Sequence, residues 1–488
     1  MLFNIFLATP ASENWNFSID NFQTVWYGLI QVAILLLALV LGNLLRNVIP
    51  FLRKSLIPSA LIGGVLLLIT LIILDTFGIE IINERFMQII TYHGLGIGFV
   101  AMTLKTIKAK KKVGIGKVVD ASLFCGSLYL MQAAVGLLIT ILLFVIVKKG
   151  FYASGAIMAL GFAQGPGNAL IWDINYTTDY PTLFSGNGSF GLTIASIGFI
   201  VSAVVGVSYI NVQRIRGKIH IREKNDARMI AMYEDENEIP ASESIDKFTV
   251  QLGIVGIGYA MAFGIMAFLS IWSFTKSLAW GFNFLFGVFA AMLIKLVLKG
   301  LKKVNVVKRH YINNYQMDRI AGFAFDIMIV AGVAAIDIEN VKEYALPIVL
   351  LAVFGTIITF GYTLLVSKLS FKGYSDEFFV MNFGTLTGTA SNGMILLKEI
   401  DPNLETPTSD VYISSQLGNI ITASPLLLLM AFMGKSLKNS IIALIIFAVL
   451  IIIYNIVLFR RYIFKKHYEG KEEKEWIQDE ETVGPNEA

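Results

Sequence analysis

The sequence predicts an all-α polytopic membrane protein: two inverted five-span repeats, each with a re-entrant hairpin, plus one C-terminal span. Three observations carry that reading. The composition is 56% hydrophobic against 15% charged, with a mean hydropathy of +0.68, more apolar surface than a soluble chain of 488 residues would hide. Basic residues collect in alternate loops. Two glycine-rich breaks, "GFAQGPGN" at 161–168 and "FGTLTGTASNG" at 383–393, recur at one spacing.

Eleven apolar stretches, each of roughly 18 to 27 residues, can cross about 30 Å of hydrocarbon at 1.5 Å per residue. They lie at 22–44, 56–76, 86–104, 120–147, 186–211, 247–269, 278–299, 319–336, 342–367, 408–434 and 440–462. Lys and Arg concentrate at 46–54, in "KTIKAKKKVGIGK" at 105–117, at 214–247, at 299–319 and at 460–466, so that about 31 lie on one side and about seven on the other. The positive-inside rule then gives an extracytoplasmic N-terminal segment at 1–21, a cytoplasmic linker at 212–246 and an acidic cytoplasmic tail at 465–488. The membrane expected is the plasma (cytoplasmic) membrane. Topology accounts for the run at 105–117 without nucleic acid as a partner. The first 20 residues lack the basic start and continuous apolar core of a cleaved signal, so the first span is expected to insert the chain. Cys125, the single cysteine, excludes an intrachain disulfide.

The breaks come next. Glycine costs about 1 kcal/mol and proline about 3 kcal/mol in a helix interior, so each run should stop a helix. Adding 223 to Gly161 and Gly165 gives Gly384 and Gly388. The same shift carries four of the first five spans onto the second five within about two residues, and displaces only the third pair, by roughly ten. The repeats are then 22–211, with a hairpin at 151–175, and 247–434, with a hairpin at 376–400; the extra span lies in 435–464. If each broken segment returns to the side it came from, each repeat crosses five times and the second is inverted. The basic loops leave 168–186 outside and 368–407 inside, so the two hairpins start from opposite faces. Small residues also serve plain helix packing; the proline within "GPG" and the duplication favour the hairpin.

Non-helical backbone at membrane depth must be buried in protein or line a wet cavity. Helix N-termini at two such tips offer N–H groups to a carboxylate, and unwound carbonyls can hold a monovalent cation. Beside them stand Gln164 and Asn168, then Thr385, Thr387, Thr389, Ser391 and Asn392, all neutral. These suit a small zwitterion or anion better than a lipid or a large apolar molecule.

With "YHGLGIGF", "GFAQGPGNAL" and "GTLTGTASNGMILLKEIDP" added to the two five-span units and the basic central loop, the chain resembles the glutamate:sodium symporter family over roughly residues 20–435. The resemblance implies sodium-coupled symport of glutamate or a related amino acid or small carboxylate by alternating access, with both loop tips in the site. The implied substrate-binding residues are Gln164, Gly165, Gly167, Asn168, Thr387, Gly388, Thr389, Ser391 and Asn392; Gly161 and Gly384 are implied with them. We assign these last two, with Thr385 and Asp326, to the cation. Gln164, Pro166 and Asn168 replace the His-containing glycine run of the family's glutamate carriers, which leaves the solute open. No cofactor is expected beyond the coupling sodium ion; the partners are the solute, sodium and membrane lipids, with a homodimer left open.

Two ionisable residues lie within spans. Asp326, in "AGFAFDIMIVAG", sits about seven residues into its span, roughly 10 Å from the cytoplasmic end, and an intramembrane carboxylate is a functional candidate for cation binding or proton relay. His93 is a candidate gate, against a packing role. Glu399 and Asp401 should lie at the cytoplasmic interface. An enzyme is not expected: clustered ligands for metal or haem are missing, and no second deep aspartate accompanies Asp326. The alternative is a channel or uncoupled facilitator for a small polar solute, although neither the asparagine-proline-alanine pair of water channels nor a potassium-filter motif occurs.

Overall fold

A computed structural model describes residues 26–105, 113–148, 150–219, 246–306 and 311–463, and among these all regular structure is helical. The segment 1–21, most of the basic run, most of the linker and the tail lie outside the described residues. Chain order begins with α1 (Tyr27–Val48), α2 (Ser59–Asp75), α3 (Glu84–Leu104) and α4 (Ile115–Val147). A broken pair follows, α5 (Ile157–Gln164) and α6 (Pro166–Asp179), and then α7 (Ser189–Ile215). The order continues with α8 (Lys247–Leu269), a short α9 (Ser273–Gly281), α10 (Asn283–Lys303), α11 (Asn314–Ala334) and α12 (Ala345–Ser370). A second broken pair, α13 (Ser375–Thr387) and α14 (Ala390–Ile400), precedes α15 (Thr408–Met433) and α16 (Leu437–Leu458).

Nine of the described helices are long and apolar enough to cross a membrane. The other two expected spans are α2, with 17 residues, and α11, which carries Asp318, Arg319 and Asp326. Two details of the sequence reading change. The first broken pair covers 157–179 rather than 151–175, because Phe151 and Tyr152 sit in a turn ahead of the helix, held by aromatic contacts. And α3 and α11 begin at Glu84 and Asn314, so their displacement from the common shift is smaller than ten.

The capping chemistry repeats. Asn83 Oδ1 accepts from Phe86 N at 3.0 Å at the start of α3, and Asn313 Oδ1 accepts from Gln316 N at 2.8 Å at the start of α11. Each cap is itself held by a buried glutamine five residues into an earlier helix. Gln31 Oε1 of α1 accepts from Asn83 N at 2.9 Å, and Gln251 Oε1 of α8 accepts from Asn313 N at 3.0 Å.

The helices sort into two packed groups. One holds α1, α2, α3, α8, α10 and α11; the other holds α4 to α7 and α12 to α16. The groups meet chiefly along α6, which lies against α3, α11 and α9. Both broken pairs are hairpins in the second group. Phe151, ahead of the first, stacks on Tyr180 after it with ring centres 5.2 Å apart, so the chain comes back to where it started. In the second, a β-carbon on Gly384 would lie 2.8 Å from the Gly393 Cα, so only two glycine-lined arms can run this close. Helix α16 packs on α4. Arg460, just past its end, pairs with the buried Asp120, and Asn455 joins Tyr362 of α12 at 2.9 Å to Ser127 of α4 at 3.3 Å. Its other face exposes Ile445, Ile452 and Ile456, as a lipid-facing helix does.

Candidate functional site at the two helix breaks

The first break is made by two residues. Gly165 adopts φ 85° and ψ −178°, a conformation that side-chain-bearing residues avoid, and Pro166 starts α6 with no N–H to give. Helix α5 therefore ends at Gln164 with its last carbonyls short of helical donors, and the 14-residue α6 points a fresh N-terminus at the same place. Asn168 is fully buried; its Nδ2 donates to Gln164 Oε1 at 2.9 Å, and its Oδ1 has no hydrogen-bond partner among the described residues. An amide oxygen stranded like this costs about 1–3 kcal/mol unless something meets it.

The second break comprises Gly388 and Thr389, between α13 and α14. Thr389 Oγ1 donates to Asn392 Oδ1 at 3.3 Å, and Gly388 leaves room for the Asn392 side chain, whose Cγ would lie 3.0 Å from a β-carbon there and whose Nδ2 would lie closer still. Thr385 and Thr387 donate their hydroxyl protons to the carbonyls of Met381 and Phe383, at 2.8 and 2.7 Å. Their oxygens remain able to accept. Ser391 is exposed and Thr389 half-buried, whereas Asn392 is buried.

The two breaks are adjacent. A β-carbon on Gly165 would lie 3.3 Å from Thr389 Cγ2 and 4.0 Å from Met328 Cε of α11. The remaining expected residues divide. Gly167 faces Leu95 of α3, Gly161 faces Ile194 and Ala195 of α7, and Gly384 faces the other arm of its own hairpin, so the bare Cα of each serves close packing. Asp326 lies twelve residues beyond the start of α11, about 18 Å along it at 1.5 Å per residue. The helix begins at Asn314, behind the Asn313 cap, five residues before the expected start of the span at 319. Its side chain is exposed, two residues from the Met328 that touches the first break. His93 is elsewhere: its Nδ1 lies 2.8 Å from the Tyr259 hydroxyl of α8, with its ring edge-on to Tyr92 and Tyr259. Asp401 is fully buried within the protein, accepting from Glu405 N and Thr406 N at 2.9 Å in the turn after α14.

Three residues were missed. Asp173 of α6 is fully buried, as Asp401 is; its Oδ2 accepts from Gly191 N at 2.7 Å, which caps the start of α7. Tyr129 and Gln132 of α4 reach the two hairpins. The Tyr129 hydroxyl donates to Ala163 O at 3.1 Å, and Gln132 Nε2 donates to Leu386 O at 3.0 Å and to Thr359 Oγ1 at 2.8 Å. A glutamine in the middle of "SLYLMQAAVGLLITILLF" was the available signal, since a polar residue at that depth needs a partner.

The donors and acceptors at the breaks are thus neutral amides, hydroxyls and backbone groups, and among the described residues no three His, Cys, Asp or Glu side chains are grouped to hold a metal ion. Hard neutral oxygens of this kind fit a sodium ion. A family model described as sodium/glutamate symporter matches residues 26–387. The chain belongs to the sodium/glutamate symporter family. It is a membrane protein of a symport family, and such a family is a class of transporters rather than of enzymes. No curated protein matches the chain. The symporter match takes in α1 to α12, the whole first hairpin and α13, and stops at Thr387. It is narrower than the expected 20–435. Gly388, Thr389, Ser391 and Asn392 of the second break lie beyond it, as do α14 to α16.

Proposed function

We propose that the protein couples entry of sodium to uptake of glutamate or a related amino acid or small carboxylate, binding both between the two hairpin tips and exposing them to alternate sides. The approach of Gly165 to Thr389 carries this reading: two helix breaks distant in sequence lie side by side, with helix ends and neutral side chains between them. The helix N-termini of α6 and α14 would receive the carboxylate, with Asn168, Thr389 and Asn392 beside it. Thr385, the stranded Asn168 oxygen and the carbonyls near Gly161 and Gly384 are the oxygens offered to sodium, and Asp326, on the same helix as Met328, is the candidate charge.

The reading as two inverted repeats, 22–211 and 247–434, with hairpins that dip into the membrane and return, is supported by the parallel Gln31–Asn83 and Gln251–Asn313 latches. It is also supported by the return of Tyr180 to Phe151. The alternating basic loops put the N-terminus outside, the C-terminus inside, and the start of the second hairpin on the cytoplasmic side. Packing of the first hairpin against α3 and α11, with Ser391 exposed on the second, fits a state open to the cytoplasm. Sliding of the hairpin-bearing group against the other along α6 would then exchange the open side. Exposed apolar faces such as that of α8 face lipid or a second copy of the chain.

The test is uptake into proteoliposomes. An inward sodium gradient should drive accumulation of at least one of glutamate, aspartate, another amino acid or a dicarboxylate above equilibrium, and a sodium ionophore should abolish it. Sodium-independent flux that only equilibrates would support a channel or facilitator instead.

A further inference from the structure

We infer that Tyr129 and Gln132, one turn apart on α4, are positioning residues for symport: together they hold both hairpin tips at a set spacing. This rests on the reading of the tips as the shared site. Ala163 and Leu386, the two carbonyls they bind, each stand two residues before a break, Gly165 and Gly388, and are related by the same shift of 223 that relates the glycines. They are equivalent atoms of the two hairpins. Each would have accepted from the residue four places on had its helix continued, and each is left without that donor where the helix stops.

The phenol and the amide supply the missing donors from neighbouring positions of one helix, about 4.5 Å apart along its axis. The assignment of the amide is forced, because the Leu386 carbonyl can only accept and so must face Nε2. Gln132 spends its second proton on Thr359 of α12, and its Oε1 is buried without a partner among the described residues, so the side chain is turned by what it donates to. A helix of 33 residues that packs on the first hairpin and sets Phe124 edge-on to Phe378 of the second is a stiff reference, and Tyr129 and Gln132 carry its hydrogen bonds to the tip carbonyls.

Loss of either donor should disturb binding before turnover. In proteoliposomes at matched protein content, Gln132→Leu is expected to raise the KM for L-glutamate and for sodium at least about fivefold, with Vmax within about twofold of the parent. Tyr129→Phe, which removes one hydroxyl and little volume, should raise both by about threefold and covers the case in which Gln132→Leu does not fold. Gln132→Glu cannot donate when ionised but regains one donor when protonated, so its KM relative to the parent should fall between pH 7.5 and pH 5.5 by about twofold or more. Unchanged KM values in Tyr129→Phe, or a loss of Vmax alone, would overturn the assignment.

A second measurement is independent of transport. With Cys125→Ser, spin labels at Thr178 and Glu399, on the outgoing arms of the two hairpins, should give a broader distance distribution in the Tyr129→Phe/Gln132→Leu protein than in the parent. An unchanged distribution overturns the inference whatever the uptake. Failure of the parent protein to accumulate glutamate, aspartate, another amino acid or a dicarboxylate would strike the functional reading while leaving this distance test standing.

Discussion

Gly165 and Thr389 meet where the two hairpins end, with the Thr389 methyl 3.3 Å from the place a side chain on Gly165 would begin. The glycine answers two demands at once, its positive φ and the nearness of the opposite tip. We expect Gly165→Ala to lower stability by about 1–2 kcal/mol from backbone strain and to reduce sodium-driven uptake severely. Thr389→Ser removes only the methyl that the new side chain would press, so Gly165→Ala/Thr389→Ser should recover part of the uptake lost in Gly165→Ala. Uptake rates of the two singles and the double decide it; no recovery would mean that the tips do not touch in the working protein.

Asp326→Asn should leave the fold intact, because the side chain is exposed, and should weaken the response to sodium. The expected change is a rise in the sodium KM of about tenfold, since a carboxylate oxygen binds a cation far better than an amide does. Initial uptake against sodium concentration measures it. An identical curve would take Asp326 out of the site.

The glutamine latches should differ in strength. Gln251 makes two bonds, to Tyr311 O at 2.7 Å and from Asn313 N at 3.0 Å, while Gln31 makes one, from Asn83 N. Removing the partner of a buried backbone group costs about 1–3 kcal/mol, so Gln251→Leu should lower the unfolding midpoint in detergent more than Gln31→Leu does. The reverse order would show that the latches are not what fixes these helix starts.

Arg460 lies beyond the family match and pairs with Asp120, whose side chain is 4% exposed. Taking away one member of a buried pair costs up to about 3–5 kcal/mol, whereas taking both costs less. Thermal unfolding of Arg460→Ala should therefore fall below that of Asp120→Asn/Arg460→Ala. Equal midpoints would make the pair incidental.

Much of this architecture was legible in the sequence because hydropathy counts residues against a fixed thickness and glycine with proline marks where a helix cannot continue. The spans and both breaks follow from those two facts. The start of α11 did not, since the Asn313 cap opens the helix within a stretch that reads as loop. Nor did the roles of Tyr129, Gln132 and Asp173. Weighing only ionisable residues at membrane depth passed over the glutamine and the phenol, and the partner of Asp173 is known only once α7 is folded back onto it. Which carbonyl a lone amide will find depends on a helix more than two hundred residues away, and no periodicity records that.

The suspension of both tips from one rigid helix sets a limit on what the protein can accept. A cavity whose two walls hang from adjacent rungs cannot widen for a longer molecule or shrink around a shorter one. On the proposed reading, selectivity would work like a caliper locked at one opening, and a solute one methylene too long would be turned away at loading.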